Sequence, residues 1–194
     1  MWSALTLVTA PALTPVSLDE AKAQCHVDHS DEDVLLTLMI AAAVAMIDGP
    51  DGIGHCMITQ TWSGVIDGWQ NPIVLPLGPV SAVTAITYLD SDGASQILGS
   101  GLYRLVNGVR PAFIERAYGA SWPAHRAVSY PISIAFTAGV ATAAEVDQGL
   151  RQAVLMLVGH WYANRETVNI GDVTSEMEFT FHALTERLRV GRFA

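Results

Sequence analysis

AVLMLVGHWYANRE, residues 153–166, decides how the rest of the chain is read. Its first seven residues are apolar, and the remainder gathers a histidine, a tryptophan, a tyrosine, an arginine and a glutamate. Wound as an α-helix, the segment puts Leu150, Val154, Leu157, Val158 and Trp161 on one broad face, with Met156 and His160 on the other side. A helix that is apolar almost all round is buried on several sides, within one core or between subunits. Trp161, with Tyr162 beside it, is then a packing anchor of the core or of an oligomer. Catalysis by His160 needs a partner acid or nucleophile, and none is identifiable. Arg165 and Glu166 read as a helix-end ion pair.

Toward the N-terminus, "TAAE" (142–145) is a capping box for this helix, which should run from Glu145 to about Arg165. Asp147 in its first turn, and His160 and Arg165 in its last, agree with the helix dipole. Before it, residues 56–139 change period. "CMITQTWSGVI" sets Ile58, Gln60 and Trp62 against Thr59, Thr61 and Ser63, and "PISIAFTAG" alternates Ile132, Ile134 and Phe136. "VSAVTAITYL" (80–89) is rich in β-branched residues and ends at the turn "DSDG". "YRLV-NG-VRPAFI" reads as a hairpin in which Asn107-Gly108 supply the left-handed residues of a tight turn. "GASWP" (119–123) is a loop. These segments predict a small antiparallel sheet or barrel.

Helical signals return in residues 17–55. "SLDE" caps a helix from Ser17 to about Val27, and "SDED" repeats the signal from Ser30. The second helix runs to about Ile47, ~30 Å long at ~1.5 Å per residue. Val34, Leu35, Leu38, Ala42, Ala45 and Met46 recur on it at helical spacing. "DGPDGIG" (48–54) stops it. Residues 1–16, with Pro11 and Pro15, read as an extended arm. The fold class is therefore α+β: a helical bundle built from 17–55 and 140–166, with an inserted antiparallel β region at 56–139 and a C-terminal tail at 167–194. In that tail "EMEFTF" (176–181) alternates like a strand added to a partner's sheet, and "ALTERLRV" (183–190) suits a short helix.

Composition bounds the function. The 194 residues carry 19 acids against 10 bases, a net charge of −9, which disfavours gripping a phosphate backbone. Eight of the acids fall in residues 1–55, beside the single base Lys22. Two cysteines make no disulfide framework, and a reducing compartment is the default reading. The longest near-continuous apolar run, 35–47, is too short for a membrane span. Nucleotide-binding, zinc-protease and hydrolase motifs do not occur. One constellation invites a metal: Cys25 and His29 with His55 and Cys56 are soft ligands that could close a tetrahedral zinc site. Their spacing matches no usual pairing, so the plainer reading is buried cysteine and polar loop histidines. No cofactor, metal or catalytic residue is assigned.

Taken in order, "LTPVSLDEAKAQCHVDHSDEDVLLTLMIAAAVAMID", "ITQTW", "LPLGPVSAVTAITYLDSDG", "SWP", "ISIAFTAG" and "QAVLMLVGHWYANRE" resemble the head–tail connector (adaptor) family of long-tailed phages, prophages and gene transfer agents. The resemblance covers residues 13–166. It implies a structural protein of a phage-like particle that forms a homo-oligomeric ring, a dodecamer, under the portal protein. The ring extends the DNA channel and presents a platform for the next stopper or head-completion protein. DNA would pass without specific binding, past a wall whose acid excess repels phosphate. On this reading Leu150, Val154, Leu157, Val158, Trp161 and Tyr162 lock bundle and ring. The tail would dock on the portal through Met177, Phe179, Phe181, Arg187, Arg189 and Arg192. Other readings are another ring of the same particle, a stopper or tail terminator, or a small metal-binding or enzymatic domain.

Overall fold

The computed structural model describes residues 2–164 and 175–190, the side chains of 175–179 excepted. Among these are four helices and two antiparallel sheets, an α+β fold with two separate hydrophobic cores. One sheet has five strands in the order β1-β2-β8-β4-β5: β1 (Trp2–Thr9), β2 (Gln60–Ile66), β8 (Ile132–Ala138), β4 (Val80–Leu89) and β5 (Ser95–Ile97). The other has β3 (Ile73–Val74), β7 (Phe113–Arg116) and β6 (Tyr103–Val106), in that order.

The alternation read from the sequence holds in the central strands. Gln60, Trp62 and Ile66 of β2, and Ile132, Ile134 and Phe136 of β8, all point into the β core. The N-terminal segment is more than an extended arm, because its residues 2–9 form the edge strand β1, paired antiparallel with β2. Trp2 packs edge-on to Phe136 at 6.1 Å between ring centroids, and its Nε1–H donates to Val74 O at 2.6 Å. Gly64 makes room for this: a Cβ there would lie 2.5 Å from the Trp2 ring.

The β6–β7 hairpin exists, but not with the turn expected. Val106 pairs with Phe113, which leaves a six-residue connection at 107–112, and neither Asn107 nor Gly108 is left-handed. A connection this long has no need of a tight primed turn.

Helices α1 (Leu18–Cys25), α2 (Asp33–Ile47), α3 (Gln148–Ala163) and α4 (Ser175–Thr185) surround the second core. The Ser17–Glu20 capping box forms as read. The other two capping signals act differently. At 142–145 the box closes a separate 3-10 turn, and α3 starts later, capped by the Asp147 carboxylate accepting from Gly149 N at 2.8 Å. At 30–33, α2 begins only at Asp33 and has no side-chain cap, because its acids are engaged elsewhere: Asp33 with Lys22 at 2.7 Å, Glu32 with the Tyr162 hydroxyl.

Only one side of α2 is buried. Leu36, Ile40, Ala43 and Ile47 enter the core, whereas Val34, Leu38, Ala42, Ala45 and Met46 are exposed and Leu35 is half-buried. The helix is so evenly apolar that spacing alone cannot choose its inner face.

Candidate functional site

The apolar run 153–159 and the residues around it form α3. Leu150, Val154, Leu157 and Val158 are buried in the helical core, and Trp161 and Tyr162 are half-buried against it. Tyr162 donates its hydroxyl proton to Glu32, tying the end of α3 to the start of α2. Arg151 reaches back from α3 to the α1 cap. Its guanidinium pairs with Glu20 and donates to Pro15 O at 3.1 Å. The Ser17 backbone N–H first, with the Ser17 hydroxyl and Arg151 after it, holds the Glu20 carboxyl below its usual range against the opposing effect of burial. His160 is half-exposed and its carbonyl accepts the Asn164 backbone and amide N–H groups, a helix-end arrangement. Arg165 and Glu166 lie outside the described residues.

A second cluster sits where the chain passes between its two cores. Asp48, at the end of α2, accepts from Met57 N and from Gln60 Nε2, both at 2.6 Å. Burial holds its carboxyl above the usual range, and these two hydrogen bonds offset only part of that rise. His55 is 5% exposed, and among the described residues its Nδ1 has no hydrogen-bond partner. Burial, then the Arg110 charge, lower its imidazole to about 4. Cys56 is fully buried, and burial with the nearby Asp48 charge drives its thiol far up. Cys56, buried and held as the thiol, is not poised as a nucleophile. Gly139, at φ 99°, lets the returning chain pass Ile58, whose carbonyl would meet a Cβ at 2.2 Å.

The four soft ligands are parted. Cys25 packs against the helical core, Cys56 lies in the β core, and His29 is exposed. Among the described residues, no three His, Cys, Asp or Glu side chains come together as a metal ion would need.

The tail departs from the strand expectation. Residues 175–185 are helical, and the chain folds back onto its own body. Phe181 is half-buried against the helical core, Thr185, Leu188 and Val190 are buried, and Val190 N donates to Ile53 O at 2.9 Å. Arg187 pairs with Asp147 at 2.5 Å and Arg189 with Glu186 at 2.8 Å. Arg187 and Arg189 thus each hold a carboxylate of this chain. The side chains of Met177 and Phe179, and all of Arg192, lie outside the described residues. Val190 also lines an open groove of about 660 Å³ with Trp2, Leu5, Ile53, Trp62 and Leu77.

One feature escaped the sequence reading. Trp69 and Trp122 stack at 4.8 Å and 10°, with Tyr88 and His125 edge-on to Trp69. Trp69 Nε1–H donates to Pro123 O and Trp122 Nε1–H to Gln70 O, so the pair pins the 117–130 loop to the sheet. The signal was present in "SWP", a tryptophan beside a proline in an otherwise polar loop.

Three of the solved structures that resemble this chain do so over nearly its whole length. A chain of the virion of a native gene transfer agent particle is 28% identical, with a TM-score of 0.77, over 99% of this chain and 98% of that one. A chain from the neck of an empty gene transfer agent particle, computed with C6 symmetry, is 27% identical with a TM-score of 0.78 and the same coverage. A third, from the neck of the native particle computed with C12 symmetry, is 28% identical with a TM-score of 0.76, again with that coverage. No family model and no curated protein matches. The similar chains are components of a particle and of its neck.

Proposed function

We propose that this chain is a structural protein in the neck of a phage-like particle, the adaptor between the portal protein and the next head-completion protein. The supporting observation is the near-complete mutual coverage with neck chains of a gene transfer agent particle, 99% and 98%, at TM-scores of 0.76 to 0.78. Fold likeness alone would not carry a function, since folds are reused. Here identity of 27–28% accompanies it from end to end.

In this role the helices form a bundle carrying the β region as an insert, and copies assemble into a twelve-membered ring that extends the DNA channel. Leu150, Val154, Leu157 and Val158 are the bundle's centre, and Trp161 and Tyr162 close its end. A net charge of −9 per copy gives such a channel a wall that phosphate slides past.

The C-terminal segment is the proposed portal contact. The expectation named Met177, Phe179, Phe181, Arg187, Arg189 and Arg192. Because Phe181, Thr185, Leu188 and Val190 pack on the body, docking falls to the outer face of α4, to Arg187 and to the residues after Val190. Arg187 keeps 60% of its side chain exposed while paired with Asp147, leaving donors for a second carboxylate.

The test is co-purification with the portal protein of the same particle. A stable complex larger than either protein alone is expected. No complex at micromolar concentrations of both, at low and moderate salt, overturns the adaptor role.

A further inference from the structure

We infer that the outward face of α2 is the contact through which one copy of this chain grips the next. Residues 34–47 carry no charged side chain, and the single hydroxyl, on Thr37, donates to Asp33 O at 2.7 Å within the helix. A helix apolar on all sides is normally covered on all sides. Among the described residues, this one is covered on one side. Val34 is 75% exposed, Leu38 64% and Met46 56%, and Ala41, Ala42 and Ala45 are exposed between them. Val34, Leu38, the pair Ala41 and Ala42, and the pair Ala45 and Met46 succeed one another at three- and four-residue steps, so they form a single stripe ~18 Å long. Isolated exposed apolar residues are ordinary, but a contiguous stripe marks an interaction surface.

The occupant is a second copy, and this rests on the proposed place in the neck. Similar chains of matching length come from a neck computed with C12 symmetry, where each copy has a like neighbour on either side. Copies that each carry −9 repel through most of their surface, and an uncharged face is where they can meet. The alanines at 41, 42 and 45 let a neighbour's backbone approach closely, while Val34, Leu38 and Met46 supply area at the ends. In a closed ring the stripe meets a different patch of its neighbour, because head-to-tail contacts are heterologous.

The experiment places a photo-crosslinking p-benzoylphenylalanine at position 38 and, separately, makes Leu38→Glu. Both are co-expressed with the portal protein of the particle, alongside the unmodified chain, and rings are counted by electron microscopy. Isotope-labelled and unlabelled chains are mixed so that mass spectrometry separates links between copies from links within one. The expected result is that position 38 crosslinks to a second copy. Leu38→Glu chains keep the parent melting temperature, since the residue is exposed, yet ring yield falls at least tenfold. A crosslink to the portal, or to residues 165–174 of the same chain, overturns the inference, as does an undiminished ring yield for Leu38→Glu. If those results come with intact rings of the unmodified chain, only the α2 assignment falls. If the unmodified chain forms no ring with portal, the neck reading falls and takes this inference with it.

Discussion

Asp48 and His55 sit where the chain passes from the helical core to the β core. Asp48→Ala removes the acceptor for the Met57 and Gln60 donors. A donor left unpaired there costs its desolvation, so a loss of about 2–3 kcal/mol is expected in thermal unfolding. An unchanged melting temperature would mean that the junction does not need this carboxylate. His55 gives a pH dependence. Its folded value near 4 lies below the unfolded 6.5, so the unfolded chain binds the extra proton. Stability is therefore level above pH 6.5 and falls as pH drops from 6.5 toward 4, by on the order of 3 kcal/mol. Asp48, whose value is raised, works in the opposite direction at the acid end of that window. His55→Leu should flatten the slope between pH 6.5 and 4, and an unaltered slope would assign it to other groups. Neither role was legible in the sequence. His55 and Cys56 stood out as candidate metal ligands, because a linear chain shows that soft ligands are present but not that a core boundary separates Cys25 from Cys56.

At the scale of elements, α3 was the most legible. Leu150, Val154, Leu157 and Val158, which share one face by spacing, are all buried in the helical core. Leu150→Ala should cost about 3–4 kcal/mol. Trp161→Ala should cost less than a fully buried tryptophan, about 2 kcal/mol, because the indole is only half-buried. Equal losses would mean that Trp161 is better buried than the fold shows. The inner face of α2 was not legible, because Leu36, Ile40, Ala43 and Ile47 are no more apolar than Val34, Leu38 and Met46 on the opposite side. The tail misled for a different reason. Alternation over only six residues, 176–181, fits a strand and equally fits a short helix whose position is set by tertiary contact. The Trp69–Trp122 stack depends on residues 53 apart, which no local pattern joins. Trp122→Ala should free the 117–130 loop and leave the rest in place. Hydrogen exchange should rise at Arg126 N and Val128 N, while β2 and β8 amides stay protected. Faster exchange throughout the sheet would instead make the stack part of the core.

For the whole molecule, the mixed α+β class was legible from the changes of period at 56 and near 140. The pairing of β1 with β2 was not, since an edge strand declares itself only when its partner is known. Charge also acts at this scale. With −9 overall and its bases dispersed, the chain should show no shift of duplex DNA at micromolar protein and physiological salt. A salt-sensitive shift would contradict a sliding wall. The central claim is position in the particle, and imaging tests it most directly. Electron cryomicroscopy of the portal complex should show this chain as a twelvefold ring stacked on the portal and open along its axis. Density for this chain elsewhere in the particle, or portal complexes with no ring of it, would contradict the account.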